Sequence, residues 1–535
     1  MVDREASANL RGIVQGGLVM LIGVALHASA VNFAFVYDDL EIIVANPWLR
    51  EPGGLAKIFT SPFWSFGEEG GTGNYYRPLL LGLHWLQYRL FGLDPAAYHF
   101  TNVLVHGLAV LLVFALARRV LGASDRTGWA SFAGAALFAV HPVHIEAVCW
   151  VSGISDLLAS SLVLVSLYIH IRWRDNGAAT GFAVAFCFAA CLVKETAFVL
   201  PFLVMAYETL FGAGRFRPVQ ALRCCLPFAA ACVACLAIRA MVLGALVPAS
   251  TGSLGALLSA PWLLTRYLGL LVLPVDLNVM QAFEPVDFLE PRFVLGVVVA
   301  VVFAGAGAML SRSAPVASLG FALVLVPILP VLNAAVLTRH PFAERYLYLP
   351  SVGLAVIAAW AAALLLQKGP RSQLISHLAT GLVLLCFASL SAARMAVWHS
   401  ELSLWEATAI DSPRDPIARY NLGRALLEAG RPSEALVHLE EATQLRPRYG
   451  KARNNLGVTY AQLGRIREAA AQLELAASLR PSDPAIRVNF GKALLKSGSA
   501  HRALEECSMA IEISPTSRPA ARCVAQARAA LGPRQ

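Results

Sequence analysis

Residues 12–30 read GIVQGGLVMLIGVALHASA, and this first long apolar run of the 535-residue chain decides the class of fold. The run contains no Asp, Glu, Lys or Arg, and a helix of about 20 apolar residues is long enough to cross a bilayer. It ends in Ala28-Ser29-Ala30, which resembles the cleavage site of a secretory signal. We interpret it as an uncleaved first span, because the later spans need it for packing.

The composition of the whole chain supports a membrane protein. It is 57% hydrophobic and 14% charged, whereas soluble domains contain about 25% charged residues. In a soluble protein the net charge of +9 would suggest a nucleic-acid partner, but here the basic residues lie largely in short turns between apolar runs. We therefore expect a lipid bilayer and no nucleic acid as a partner. The 10 cysteines lie mostly within apolar runs, and their spacing favours small packing residues over a metal site.

Apolar runs of similar length recur as far as residue 393, and they predict an all-α, multi-pass membrane domain over residues 1–393. The eleven predicted spans are 12–34, 99–117, 128–140, 156–173, 178–193, 196–212, 225–245, 294–310, 315–334, 346–366 and 374–392. The stretch 258–273 is left open, because a crossing there would change the parity of the spans and the side on which the C-terminus lies.

The basic turns of this domain all fall on one predicted side. They contain Arg118, Arg119, Arg126, Arg172, Arg174, Arg215, Arg217, Arg223, Arg312, Lys368 and Arg371. The positive-inside rule assigns this side, which also holds the N-terminus, to the cytoplasm. An odd number of spans then places the C-terminal part on the outer side. We expect a bacterial inner membrane with the C-terminal part in the periplasm, or the endoplasmic reticulum membrane if the source is eukaryotic.

Residues 394–535 are polar and repeat with a period of 34 residues. The tripeptide NLG at 421–423 recurs as NLG at 455–457 and NFG at 489–491. Prolines keep the same interval at Pro413, Pro447, Pro481 and Pro515. This period is typical of tetratricopeptide repeats, which contain two antiparallel helices each. The sequence predicts repeats at about 416–449, 450–483 and 484–517, followed by a capping helix, in a solenoid of the kind that binds peptides or proteins.

Charged and polar side chains are concentrated in the turns of the predicted outer side. They include Asp38, Asp39, Tyr76, Arg77, His141, His144, Glu146, Asp156, Lys194, Glu344 and Arg345. Such residues are costly beside a bilayer and indicate a function. Carboxylates can remove a proton from a hydroxyl group, and the planar fork of arginine suits a phosphate. Their common side predicts one site that several turns assemble.

Structural alternatives exist for each of these groups. Asp38 and Asp39 could be a solvated pair or the cap of a surface helix that begins near Glu41. His141 and His144 could suggest zinc, but they are three residues apart with a proline between them, whereas a helical metal pair needs a spacing of four residues. We favour a hydrogen-bonded turn and no metal.

Two further alternatives concern cations, and two concern the whole protein. Lys194 and Glu195 could form a structural ion pair with each other, and Arg345 could be an interfacial anchor. The protein could be a membrane-anchored tetratricopeptide scaffold without catalysis, although an anchor needs only one span. A transporter would need charges near the bilayer midplane and internal symmetry, and the sequence shows neither.

Several segments in order resemble one family. They read YDDLEIIVANPWL, YYRPLLLGLHWLQYRLFG, YHFTNVLVHGLAVLLVFAL, LFAVHPVHIEAVCWVSGISDLLA, KETAFVLPFLVMAYE and ERYLYLPSVG. Followed by tetratricopeptide repeats, this series resembles the transmembrane-and-tetratricopeptide-containing O-mannosyltransferases and their bacterial relatives. Those proteins are multi-pass glycosyltransferases of the GT-C fold. The resemblance covers nearly the whole chain.

The resemblance implies an inverting glycosyltransferase. We expect no cofactor, and no metal is required if protein cations neutralise the leaving phosphate; a divalent metal stays open as the alternative. It implies transfer of a mannose-like sugar from a polyprenyl-phosphate donor to a hydroxyl acceptor, such as Ser or Thr of a protein, on the periplasmic or luminal face. One member of the acidic pair is the expected base. We expect this to be Asp38, with Asp39 as its partner, although the relatives have Asp-Glu at these positions and the two roles could be exchanged.

The resemblance also gives roles to other outer residues. Glu146 is the next candidate for a catalytic carboxylate. Arg345 is expected to hold the lipid phosphate, with Arg77 and Lys194 as further candidates. The repeats would hold an acceptor protein or peptide near the site and raise its effective concentration.

Overall fold

The computed structural model describes residues 2–67, 75–122, 124–212, 218–244, 257–281, 284–332 and 342–532. Within these ranges all the regular structure is helical, as predicted. Arg215 and Arg217 lie outside the described residues. The chain divides into two compact units, Met1–Ser400 and Glu401–Gln535.

The first unit contains fifteen helices among its described residues. They are α1 (Val2–His27), α2 (Gly54–Thr60), α3 (Pro78–Phe91), α4 (Pro95–Leu121), α5 (Asp125–Ala139), α6 (Ile145–Cys149), α7 (Ile154–Trp173), α8 (Gly177–Val193), α9 (Leu200–Phe211), α10 (Pro218–Leu243), α11 (Ala260–Val272), α12 (Pro291–Ser313), α13 (Pro315–Leu332), α14 (Pro350–Gln367) and α15 (Pro370–Met395). Short 3-10 and π turns connect several of them.

Eight helical stretches of the described chain are long and apolar enough to cross a membrane. They are Leu10–Asn32, Pro95–Leu121, Val151–Trp173, Val219–Leu243, Pro291–Ser313, Pro315–Leu332, Pro350–Gln367 and Pro370–Trp398. Each corresponds to a predicted span. The predicted span 128–140 belongs to a pair of helices, Arg126–Ala139 and Pro142–Cys149, that is bent by 50°. If this bent pair counts as one span, the number rises to nine.

Two predicted spans are shorter than expected. The run 178–193 forms α8, which has 17 residues, and the run 196–212 forms a 3-10 turn followed by α9, which has 12 residues. The chain leaves the helical conformation at Lys194, so the two apolar runs do not form one long helix. The open stretch 258–273 forms α11 with 13 residues, about 20 Å at 1.5 Å per residue, which is too short to cross alone.

Small residues allow the helices that support the site to pack closely. A Cβ atom on Gly134 would lie 2.3 Å from the backbone oxygen of Ala355, so α5 and α14 approach each other directly. A Cβ atom on Gly353 would lie 2.4 Å from the backbone oxygen of Gly320, which joins α14 to α13 in the same way. Such contacts are typical of helix pairs in membranes. They fix the ends of these helices, from which the site turns project.

The second unit is a row of helix pairs. Its helices are α16 (Glu401–Asp411), α17 (Pro416–Glu428), α18 (Pro432–Leu445), α19 (Gly450–Gln462), α20 (Ile466–Leu479), α21 (Pro484–Lys496), α22 (Ala500–Ile513) and α23 (Arg518–Leu531). A Cβ atom on Gly457 would lie 2.5 Å from Cγ of Leu473, so α19 and α20 touch at this glycine. Cys507 and Cys523 form a disulfide between α22 and α23. The predicted repeat architecture is confirmed.

Candidate active site

The acidic pair lies on a turn between α1 and α2 with an unusual backbone. Tyr37, which precedes the pair, has φ of 58°, in the left-handed region that a bulky side chain rarely adopts. The strained residue turns the chain so that the next two carboxylates face different environments. Asp38 is partly exposed, whereas Asp39 is 0% exposed. Backbone strain of this kind is concentrated at functional sites.

Asp39 joins the first outer turn to the turn before α7. Its Oδ1 accepts hydrogen bonds from the backbone N–H of Ser152 at 2.8 Å and from the Ser152 hydroxyl at 2.5 Å. Its Oδ2 accepts a bond from the backbone N–H of Val36 at 3.1 Å. Burial raises the pKa of Asp39 to about 7, and these bonds oppose the rise. A solvated pair is therefore wrong for Asp39, and its side chain does not cap the following turn.

Tyr37 lies between Asp38, which follows it in the chain, and the surroundings of Arg345, the cation predicted to bind the donor. Burial raises the pKa of the Tyr37 phenol, the charge of Asp38 raises it further, and the charge of Arg345 lowers it. The same phenol therefore senses both charged groups. Its ring centroid is 5.5 Å from that of Trp150. The Arg345 guanidinium lies 5.3 Å from the same Trp150 ring and 5.1 Å from the ring of Tyr346.

Arg345 is held by two buried carboxylates. Its backbone N–H donates to Oε2 of Glu146 at 2.9 Å, and its guanidinium contacts Oε1 of the same carboxylate. Its Nε is 3.9 Å from Oδ2 of Asp156. The Arg345 side chain keeps 21% exposure, so it is not completely enclosed by these contacts. The alternative of an interfacial anchor does not fit a side chain held in this way.

Lys194 and Glu195 pair with different partners, so the alternative of a mutual ion pair is wrong. Nζ of Lys194 is 2.5 Å from Oδ2 of Asp156, and burial lowers the pKa of Lys194 to about 8. Oε2 of Glu195 accepts bonds from Nη2 of Arg77 at 2.8 Å and from its Nε at 3.0 Å. Oε1 of Glu195 is 3.4 Å from Nη1 of Arg239. Asp156 therefore links Lys194 to Arg345, and Glu195 links two arginines.

Four other predicted candidates have structural partners. The Tyr76 hydroxyl donates to the Phe59 carbonyl at 2.9 Å. His141 Nε2 lies 2.9 Å from the Leu271 carbonyl, and His144 Nε2 lies 2.8 Å from the Ser351 hydroxyl. Oε1 of Glu344 is 3.1 Å from Nη2 of Arg394, and burial raises the pKa of Glu344 to about 7. The favoured interpretation of the two histidines as hydrogen-bonded residues agrees with these contacts.

Histidine, cysteine, aspartate and glutamate side chains can hold a metal ion. Among the described residues, the group of these side chains that lies close enough together to do so consists of three cysteines. Cys187, Cys191 and Cys232 have their sulfur atoms within 4.8 Å of one another, between α8 and α10. The sequence spacing does not reveal this cluster, because Cys191 and Cys232 belong to different helices and are 41 residues apart in the chain. All three cysteine side chains are buried.

Two members of the candidate site were missed in the sequence. Ser152 donates two bonds to Asp39, but a single serine in a loop carries no signal of its own. Arg239 is a lone cation near the end of the apolar run of α10, and an isolated charge in such a run is a recognised sign of function. The site thus combines one accessible carboxylate with several fixed cations beside aromatic rings. Such groups can accept a proton and neutralise a phosphate.

Comparison with known proteins agrees with both units. Residues 402–450, 420–484 and 454–518 match the family model for the tetratricopeptide repeat. A protein O-mannosyl-transferase of Caenorhabditis elegans is 26% identical over 83% of this chain and 65% of its own length. The human protein O-mannosyl-transferase TMTC1 is 25% identical over 81% of this chain and 55% of its own length.

A more similar but shorter match lies in Drosophila melanogaster. Its protein O-mannosyl-transferase Tmtc2 is 32% identical over 37% of this chain and 22% of its own length. The chain spans 65% of the worm relative and 55% of the human one. Over most of its length, the chain is therefore similar to membrane proteins named protein O-mannosyl-transferases, as the sequence motifs predicted.

Proposed function

We propose that the protein is a membrane glycosyltransferase that moves a sugar from a polyprenyl-phosphate donor to a hydroxyl group of an acceptor. The observation that carries the proposal is geometric. The partly exposed Asp38 follows Tyr37, whose ring centroid is 5.5 Å from that of Trp150. The guanidinium of Arg345 lies 5.3 Å from the same Trp150 ring, and two buried carboxylates hold it in place. The names of the relatives support mannose as the sugar and a protein as the acceptor.

Asp38 acts as the general base in this proposal. Its carboxylate accepts the proton of the acceptor hydroxyl while the hydroxyl oxygen forms a bond to the anomeric carbon. The bond between that carbon and the phosphate oxygen breaks, and its electron pair stays on the phosphate. Because the hydroxyl attacks from the side opposite the phosphate, the configuration at the anomeric carbon inverts. No metal or cofactor takes part.

The cations stabilise the leaving phosphate. The side chains of Arg345 and Arg77 are partly exposed, at 21% and 17%, and both guanidinium groups lie over aromatic rings. Lys194 is more deeply buried and contributes positive charge to the site. Fixed cations in a site shielded from water stabilise developing negative charge strongly. Glu146 and Asp39 act as positioning residues, because all the oxygens of both carboxylates are engaged in contacts with other groups.

The proposed topology puts this site on the periplasmic or luminal face, with the tetratricopeptide unit on the same side. The acceptor protein then binds the repeats, and its hydroxyl groups reach the site at a raised effective concentration. The arginine-rich turns support this orientation through the positive-inside rule.

Product stereochemistry tests the proposal. The purified full chain is incubated in detergent with polyprenyl-phosphate β-mannose and a mixture of Ser/Thr-containing peptides, and the products are analysed by mass spectrometry and linkage-specific mannosidases. We expect α-linked mannose on hydroxyl side chains. A β-linked product would contradict direct inversion, and the absence of product with every polyprenol tested would contradict the enzyme proposal.

A further inference from the structure

A polar pocket lies at the opposite end of α7 from the candidate site. Its cavity volume is about 570 Å³, and its lining includes Arg119, Arg172, Trp173, Arg174, Tyr207 and Phe211. The ends of α4, α7 and α9 form it. The candidate site adjoins the start of α7 and the pocket adjoins its last turn, so roughly 30 Å separates them at 1.5 Å per residue. The pocket is therefore a separate place on the protein from the candidate site.

Asp175, which lines the pocket, and Glu208, which adjoins the lining residue Tyr207, already have cationic or histidine partners. Nη1 of Arg174 is 3.6 Å from Oε2 of Glu208, and its Nε is 3.7 Å from the carboxylate of Asp175. Oε1 of the buried Glu208 is 3.0 Å from Nε2 of His170. Among the residues that the structure describes, Arg119 and Arg172 form no such ion pair. Two cationic groups therefore remain available to an anion in the cavity.

Aromatic side chains in the lining of this pocket indicate its level relative to a membrane. The guanidinium of Arg172 lies 5.3 Å from the ring centroid of Trp173, which is 45% exposed. The rings of Tyr207 and Phe211 are stacked at 5.1 Å. Tryptophan and tyrosine are enriched at the level of lipid headgroups. The pocket thus combines free cations with rings that suit the boundary between headgroups and acyl chains.

We propose that this pocket binds the phosphate group of an anionic phospholipid. Basic pockets between transmembrane helices on the cytoplasmic side bind such headgroups, and the positive-inside rule assigns this end of the helices to the cytoplasm. Arginine suits the phosphate because its planar fork bonds two oxygens at once. A cavity of this volume is in the range of pockets that enclose small ligands. The lipid would join the ends of three helices.

Lipid titration of the purified full chain tests the assignment. The thermal midpoint is measured in detergent micelles with increasing phosphatidylglycerol and, separately, with phosphatidylcholine. We expect phosphatidylglycerol alone to raise the midpoint. Each arginine near a charged lipid surface contributes about 1 kcal/mol, which is about fivefold in affinity. Replacing Arg119→Gln and Arg172→Gln together should therefore weaken the affinity for phosphatidylglycerol by about 30-fold, so a given rise in the midpoint should need about 30 times more of this lipid.

Matched variants separate binding from a general effect of charge. Arg371→Gln removes an exposed arginine on the same predicted side but outside the pocket, and it should leave the lipid response unchanged. Arg172→Lys keeps the positive charge, so it should retain most of the response. It also shows whether a substitution at this position disturbs folding by itself. Equal loss of response in Arg371→Gln would overturn the proposal. So would an equal response of the double variant and the wild type.

A soluble ligand is distinguished in the same experiment. Glycerol 3-phosphate and inorganic phosphate carry the same anionic group without acyl chains. If either raises the midpoint as much as phosphatidylglycerol does at the same concentration, the pocket binds a soluble phosphate and the assignment to a lipid is wrong. Because none of these measurements involves sugar transfer, the result is independent of the proposed enzymatic activity.

Discussion

Two neighbouring carboxylates in one turn have different chemistry because they differ in burial. Asp38 is partly exposed and can meet a substrate, whereas Asp39 is enclosed and bonded to Ser152 and Val36. The left-handed backbone of Tyr37 produces this division. At the scale of single residues, the proposed mechanism needs both members, one to accept a proton and one to hold the turn against the rest of the protein.

The raised pKa of Asp39 predicts a pH dependence of stability. Its pKa rises from 3.8 to about 7 on folding, so between these values the folded protein holds a proton that the unfolded chain releases. The free energy of unfolding should fall as pH rises through this window, by at most about 1.4 kcal/mol per pH unit from this group. Thermal midpoints at pH 5 and pH 8 should differ less in Asp39→Asn than in the wild type. An unchanged difference would contradict the burial of a protonated Asp39.

The pairing of Lys194 with Asp156 predicts an effect on the activity profile. Burial lowers the pKa of Lys194 to about 8, and the charge of Asp156 partly opposes this. Transfer should therefore decline above about pH 8 as the ammonium group loses its proton. Asp156→Asn removes the opposing charge, so its alkaline limb should move to lower pH. A pH profile of kcat/KM tests this, and an unshifted limb would show that Lys194 does not control it.

Elements of the chain place these residues. The turn before α7 supplies Ser152, α6 supplies Glu146, and a 3-10 turn before α14 supplies Arg345. Close contacts at small residues fix the helices behind the turns, as Gly134 does between α5 and α14. The tetratricopeptide unit has a similar close contact in each repeat, where a glycine lets the two helices of a pair touch.

A larger side chain at one such glycine should separate a repeat pair. In Gly457→Val, the new Cβ would lie 2.5 Å from Cγ of Leu473, and overpacking of this kind costs about 1–3 kcal/mol. Hydrogen exchange by mass spectrometry on the full chain should show faster exchange in α19 and α20. Ala471→Val, at an exposed position of α20, is the matched control and should exchange like the wild type. Equal exchange in both variants would contradict the close approach.

At the scale of the whole molecule, elements that a local sequence pattern marks were predicted better than contacts between residues far apart in the chain. The apolar run 12–30 and the 34-residue period are continuous signals, and both corresponded to real elements. The run 196–212 forms a shorter α-helix than predicted, because a 3-10 turn occupies its first residues, and hydropathy does not reveal such a turn. The mutual pairing of Lys194 and Glu195 was wrong because sequence neighbours at a helix end point in different directions. The link from Asp39 to Ser152 crosses 113 residues, and no periodic signal marks such a contact.

The central claim is that Asp38 is the base of a sugar transfer, and one activity measurement tests it most directly. Purified wild type, Asp38→Asn and Asp94→Asn are assayed with polyprenyl-phosphate mannose and a peptide acceptor. Asp94 caps α4 by accepting from the Ala96 N–H, and asparagine can do the same, so this control should keep full activity. Because a general base contributes about 10²–10⁴-fold, Asp38→Asn should lose at least about 100-fold in kcat with an unchanged thermal midpoint. Transfer by Asp38→Asn at the wild-type rate would contradict the account.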